Sequence, residues 1–153
     1  MRYDGRCQHD PQLTAYFGAR FELIPVCPEV EIGLGVPRPP VELTGNPLNP
    51  RLTGRDNPAL DITTLMADYC PDRAASLHDI CGYIFKSRSP SCGLHDTPVY
   101  QNQQIMHLGA GLFARAIQNA YPQLPLKDEL QLQSMQAMED FCQQLLDYHQ
   151  DKQ

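Results

Sequence analysis

Lys86-Ser87-Arg88-Ser89-Pro90-Ser91-Cys92-Gly93 is the stretch on which the reading of this chain turns. It follows the apolar run Cys81 to Phe85, which reads as a buried strand, and it puts a thiol at the tip of a proline-stiffened loop. Proline fixes its own φ and pushes the preceding residue into extended geometry, so Ser89-Pro90-Ser91 holds two hydroxyls and the Cys92 sulfur in a nearly fixed relation. Gly93 then permits a sharp turn or the close approach of a ligand. An ordinary strand-to-loop turn with a half-buried cysteine has the same local composition, and the octet alone does not separate the two.

A second stretch separates them. Phe21 to Val26 is mostly apolar, reads as a strand, and ends in Cys27-Pro28-Glu29. Two cysteines thus stand beside prolines at the carboxyl ends of two expected strands, the edge at which open α/β sheets gather their ligands. Thiolates suit zinc or iron-sulfur clusters, and Glu29 sets an acid-base group beside them.

The rest of the composition narrows the class. The 153 residues, 42% hydrophobic and 20% charged, suffice for one respectable core. A net charge of -6 argues against a broad footprint for nucleic-acid backbone and favours small ligands. Six cysteines fall at positions 7, 27, 70, 81, 92 and 142 with no C-x-x-C pair, which weakens a local zinc knuckle or a thioredoxin-type motif. An even count is also compatible with an oxidised secreted fold. Met1-Arg2-Tyr3-Asp4 lacks the apolar core of a secretory signal, however, and no apolar run approaches the roughly 18 to 20 residues of a membrane span, so a cytoplasmic protein without a membrane partner is expected.

Taken in order, Asp10-Pro11 reads as the cap and first position of a short helix with Leu13, Tyr16 and Phe17 on its apolar face. Residues 32–40 hold two glycines and three prolines and form a shaped loop. Its Gly33-Leu34-Gly35 lacks the third glycine of a dinucleotide fingerprint. Arg38 in that loop faces an anion, a polar base edge or solvent. Val41 to Leu43 reads as a short strand, 45–58 as turns, and Ile62, Met66, Tyr69, Cys70, Ala74 and Leu77 as a helix that Pro71 kinks or splits. Cys70 and Cys81 read as small buried hydrophobes. Residues 94–106 read as irregular. Gly109-Ala110-Gly111 leads into a helix ending near Tyr121-Pro122, Leu124-Pro125-Leu126 is a candidate edge strand, and a second long helix is expected from Lys127 onward. Its stripe of Met135, Met138, Phe141, Leu145 and Tyr148 is core or a partner-binding face, with Cys142 beside it. The alternation predicts a three-layer α/β domain, a mainly parallel sheet flanked by helices, that is short of one strand.

Arg2-Tyr3-Asp4-Gly5, Val26-Cys27-Pro28-Glu29-Val30, Gly33 to Pro39, Asp61-Ile62-Thr63 and Ser89-Pro90-Ser91-Cys92-Gly93 together resemble, in order and spacing, the thiouracil desulfidases. Glu31-Ile32-Gly33-Leu34-Gly35 looks like the subgroup in which this domain is fused to a second, helical one and is associated with removing sulfur from 4-thiouridine in RNA. On that resemblance residues 1–126 are the desulfidase-like α/β domain and 127–153 a terminal linker helix. The family implies a 4Fe-4S cluster held by three cysteines, with one iron open to bind the thiocarbonyl sulfur. Cys27 and Cys92 match two ligands. Glu29 would deprotonate the attacking water, Ser89 or Ser91 would position it, and sulfide would leave without electron transfer. Arg2, Asp4, Arg38 and Lys86 are secondary candidates for holding the base or the sulfide. The implied substrate is a thiolated base or nucleoside, or a modified tRNA.

The family's third cysteine lies on a first strand before the Arg-Tyr-Asp-Gly motif, where this sequence has only Met1. The expectations are a longer natural amino terminus carrying that strand and ligand, substitution by Cys7, or an inactive remnant. Two other classes stand beside the enzyme reading. One is a non-catalytic metal-binding or interaction module docking through its terminal helix. The other is a cysteine-nucleophile enzyme pairing Cys92 with a histidine such as His95, which lies three residues away.

Overall fold

The computed structural model describes residues 9–153; Arg2, Asp4 and Cys7 lie outside them. Asp10 opens helix α1 (Pro11–Gly18) by accepting the N–H groups of Gln12 and Leu13 at 3.1 Å, and Pro11 occupies a first-turn position where its missing N–H costs nothing. The chain then runs through Phe21 to Val26 without joining a ladder among the described residues, so the strand expected there is not formed. Leu23 and Ile24 are about half exposed, and an apolar run with no neighbour to bond its backbone stays a strand only in composition. A short helix α2 (Pro28–Glu31) follows at once, with Cys27 in the capping position.

Strand β1 (Val41–Thr44) pairs antiparallel with β2 (Arg51–Gly54), setting Val41 opposite Gly54. β1 also pairs parallel with β4 (Thr97–Gln101), with Leu43 opposite Val99, and β4 returns as the hairpin strand β5 (Gln104–Gly109). The sheet order is β2-β1-β4-β5. Both β2 and the β4–β5 hairpin fall in stretches that read as turns or irregular chain. Asn102 and Gln103 supply the two left-handed residues of the tight hairpin turn although neither is glycine.

A second pair, β3 (Tyr83–Phe85) and β6 (Leu126–Asp128), is parallel. Its alternation shows the layering. Phe85 and Tyr83 join the cluster that includes Leu43, Met66, Phe113 and Ile117, whereas Ile84 faces the cluster of Phe17, Met138, Phe141 and Leu145. Helices α3 (Thr63–Ser76) and α4 (Leu112–Ala120) thus cover one side and α1 and α5 (Met135–Asp151) the other. The α/β class holds, with ladders of both directions. α3 continues through Pro71 rather than splitting, and the long terminal helix begins at Met135. Lys127 and Asp128 lie instead in β6, and Glu129–Leu132 form a 3-10 turn closed by a capping box between Asp128 and Gln131. No helix among the described residues is long and apolar enough to cross a membrane.

Two outcomes test this packing. Phe141→Ala removes the ring that meets Phe17 edge-on at 5.8 Å between α5 and α1, and it is expected to cost about 3 to 5 kcal/mol in denaturant unfolding. Asp61, just ahead of α3, accepts the Thr63 hydroxyl at 2.6 Å and its N–H at 3.0 Å and pairs with Arg51, so its pKa is held down to about 2. A carboxylate with a depressed native pKa stabilises the fold above its unfolded value near 3.9 and loses that contribution as pH falls. The stability gap between wild type and Asp61→Asn is therefore expected to be full at neutral pH and to close between about pH 4 and about 2.

Candidate functional site

The Cys92 loop is built as a closed turn. The Ser89 hydroxyl accepts the N–H groups of Ser91 at 3.3 Å and Cys92 at 3.1 Å, and the Ser89 carbonyl accepts the Gly93 N–H and the Thr97 hydroxyl, each at 2.8 Å. α4 rests its amino terminus on the back of this turn. The Leu112 N–H bonds Pro90 O at 3.1 Å, and those of Phe113 and Ala114 bond Ser91 O at 2.8 and 3.1 Å, which satisfies helix-start donors that have no partner inside the helix. Such proximity demands glycine at 111, because a Cβ there would lie 2.5 to 2.8 Å from the Ser91 and Cys92 backbone.

The second loop reaches the first through Glu29. After α2, Gly33 and Gly35 adopt left-handed φ of 96° and 71° and turn the chain back, which brings Arg38 over Glu29. Arg38 Nε and Nη2 donate to Glu29 Oε2 at 3.0 and 2.8 Å, and Nη1 donates to Gly35 O at 3.1 Å. The Ser91 hydroxyl donates to Glu29 Oε1 at 3.2 Å. Ser91 is buried, and the Arg38 and Glu29 side chains are 2% and 12% exposed. Burial pushes the Cys92 thiol far above its ordinary pKa, and the charges of Glu29 and Cys27 push it further, so the two cysteines lie within electrostatic reach of each other. The rigid loop of glycines and prolines is thus the frame of an ion pair in which Arg38, held away from solvent, faces the Glu29 carboxylate.

The remaining candidates are placed as follows. Lys86 is engaged by the carboxylate of Glu129, which also accepts the Ser87 N–H at 2.8 Å. Burial opposes ionisation of Glu129, but Lys86 and both Ser87 donors outweigh it and hold its pKa below the ordinary value. His95 makes no hydrogen bond to Cys92; its Nε2 lies 3.8 Å from Asp128 Oδ2, an oxygen with no hydrogen-bond partner. A half-buried Cys92 whose thiol pKa is pushed up and which has no histidine partner lacks the features of a nucleophile. None of the five described cysteines is in a disulfide, and burial raises the Cys70 thiol to about 12, as suits a core residue. Among the described residues no three potential ligands gather into a metal site. A groove of about 530 Å³ between α3 and α4, floored by Met66, Cys70 and Ala74, is lined by none of the candidate residues.

Thr97, Gly111 and Glu129 escape a reading by motif. Gly111 alone leaves a signal, a glycine directly before an amphipathic helix, and Thr97 and Glu129 reach the loop only through β4 and β6.

Fold and site together define an α/β domain in which a thiol-bearing loop and a thiol-plus-carboxylate loop face one another. The profile of the 2-thiouracil desulfurase family matches residues 1–129, and the chain belongs to that family. Among solved structures, the 4Fe-4S-dependent thiouracil desulfidase TudS is similar at 29% identity and a TM-score of 0.63, over 86% of this chain and 83% of that one. No curated protein matches the chain.

Gly111→Ala is expected to lift the Ser91–Cys92 backbone off α4, since backbone atoms cannot swing aside as a side chain would. Mass-spectrometric tracking of iodoacetamide labelling should find Cys92 alkylated severalfold faster than in wild type. An unchanged rate would show that the turn is held without α4.

Proposed function

We propose that the protein is an iron-sulfur-dependent, non-redox desulfidase that replaces the sulfur of a thiolated pyrimidine, thiouracil or 4-thiouridine, with oxygen from water. The observation that carries this reading is the chain Arg38–Glu29–Ser91, which ties the Cys27 and Cys92 loops together in a member of the 2-thiouracil desulfurase family. The donor set fits a cluster in part: two soft thiols within electrostatic reach are present, and Cys7, outside the described residues, is the proposed third ligand. When bound, a 4Fe-4S cluster supplies a thiophilic Lewis acid for a thiocarbonyl sulfur.

The chain's own groups divide the remaining work. Arg38 occupies Glu29 Oε2 with two donors, which fixes the carboxylate plane and leaves Oε1 to take a proton from water. Ser91 donates to that same Oε1, so its oxygen lone pairs stay available to a water or a substrate N–H. Ser91 is therefore the proposed positioning hydroxyl. The Ser89 hydroxyl is taken up by two backbone N–H groups and lowers the Cys92 pKa through its own hydrogen bond, which fits a supporting role. Lys86, bound to Glu129, is assigned to holding the loop. Arg2 and Asp4 remain proposed substrate contacts. The setting proposed for this chemistry is the cytoplasm.

Anaerobic reconstitution is expected to yield protein with iron and acid-labile sulfide that releases sulfide from 4-thiouracil. Glu29→Gln should cut kcat by about 10²- to 10⁴-fold at unchanged iron content, whereas Cys27→Ala and Cys92→Ala should lose the iron itself. Zinc or no metal in protein purified without oxygen would support the non-catalytic module instead.

A further inference from the structure

Tyr83 opens β3, the strand that delivers the Cys92 loop, and both its backbone and its ring are fixed. Its N–H donates to Pro125 O at 3.0 Å, and its ring stacks on Phe85 with centroids 4.2 Å apart and leans on Phe113 at 6.0 Å. Phe113 is fully buried and donates its own N–H to Ser91 O at 2.8 Å, so the Tyr83 ring is braced against the residue that backs the Cys92 turn. Tyr83 and Cys92 pack against one core cluster. The Tyr83 hydroxyl nevertheless makes no hydrogen bond among the described residues. Phenylalanine would stack equally well without a polar atom to satisfy, so packing does not account for a tyrosine here.

The neighbours of that hydroxyl indicate what it serves. Cys92, Tyr69, Glu31 and Arg73 lie within its electrostatic reach. Glu31 is engaged on both oxygens, Oε2 by the Tyr69 hydroxyl and Oε1 by Arg73 Nε at 3.3 Å, and an arginine offers no acceptor. Of the two acceptors left, the Tyr69 oxygen is neutral, whereas the Cys92 sulfur becomes charged when a metal takes the place of its proton. A neutral thiol accepts weakly; a thiolate accepts as an anion. The other hydroxyls at the turn are assigned already. Ser89 supplies the Cys92 sulfur with one donor, and Ser91 donates to Glu29 at 3.2 Å. Tyr83 is in place to be the second donor to that sulfur.

We propose that the Tyr83 hydroxyl donates a hydrogen bond to the Cys92 sulfur when that sulfur is a metal-bound thiolate, which makes Tyr83 a positioning residue that aims the ligand and damps its negative charge. The assignment of Cys92 as a ligand rests on the function proposed above. Two measurements test it. In the first, cobalt(II) is titrated without oxygen into the full metal-free chain, and the near-ultraviolet sulfur-to-cobalt absorption reports thiolate binding. The part of that absorption lost in Cys92→Ala belongs to Cys92. Tyr83→Phe keeps the ring and removes its oxygen, and an unchanged Tm will show that the packing survives. In this variant the Cys92 band is expected at longer wavelength, because a sulfur without the hydrogen bond holds its electrons less tightly. Cobalt affinity is expected to fall about ten- to a hundredfold. Tyr69→Phe removes a hydroxyl that serves Glu31 and should leave the band in place.

In the second, protein reconstituted anaerobically with iron and sulfide is compared in wild type and Tyr83→Phe. The variant is expected to have the lower reduction potential, since a hydrogen bond to a ligating sulfur favours the more negative, reduced form. Sulfide release from 4-thiouracil is followed on the same samples. Equal band position and cobalt affinity in wild type and Tyr83→Phe, or equal potentials, overturn the proposal, and so does a wild-type protein with no Cys92-dependent band. A band and a potential that depend on Tyr83 in a protein that releases no sulfide uphold the hydrogen bond and overturn the desulfidase reading alone.

Discussion

One carboxylate joins the two loops on which the site depends. Glu29 gives one oxygen to the buried guanidinium of Arg38 and the other to the buried hydroxyl of Ser91, a residue 62 positions away. Both contacts lie out of water, where a charge-assisted hydrogen bond is strong and an unpaired charge is costly. The geometry of everything near Cys92 follows from this tie. The left-handed glycines at 33 and 35 exist to bring Arg38 back over Glu29, and the closed turn of Ser89 to Gly93 exists to aim Ser91 at the same group.

The parts of the fold legible in the sequence are those whose signal is local. Asp10-Pro11 announces α1, the apolar spacing from Ile62 to Leu77 announces α3, and Cys27-Pro28-Glu29 and Ser89 to Gly93 mark the two loops. Elements whose existence depends on a distant partner are not legible. β2 hides among prolines and asparagines because Arg51 to Gly54 becomes a strand only beside β1, and the β4–β5 hairpin turns on Asn102-Gln103 instead of the usual glycine pair. Phe21 to Val26 fails in the opposite sense: it has strand composition and no ladder among the described residues. In the site, cysteine, proline and glutamate could be named from the motifs, but that Arg38 is spent on Glu29 and Lys86 on Glu129 is a matter of which side chains the fold brings together.

The last quarter of the chain takes part in this arrangement. β6 lies against β3, the strand that delivers the Cys92 loop, and Glu129 directly after it binds the Ser87 N–H and Lys86. α5 closes over the same strand, where Leu145 packs so tightly against Gly82 that a Cβ there would lie 2.0 Å from its Cδ2. The loop therefore has supports on two sides, α4 behind the Ser91 carbonyl and the β6 turn beside Ser87.

Energetics distinguish what this architecture is for. A glutamate and an arginine 12% and 2% exposed gain little net stability from each other, because desolvating both charges offsets most of their attraction, and apolar residues of similar volume commonly serve a fold as well or better. A pair kept at that cost, with its second carboxylate oxygen accepting the buried hydroxyl of Ser91, is explained by what it holds in place: it ties the Cys27 loop to the Cys92 loop. The same electrostatics bear on Cys92. Burial, and then the charges of Glu29 and Cys27, push its thiol pKa up, which disfavours attack on carbon by sulfur, whereas a cationic centre bound there would draw the proton off. On the function proposed above, the sulfur would serve as a soft ligand and the carboxylate beside it would take the proton, which divides the chemistry between two loops so that neither group has to do both.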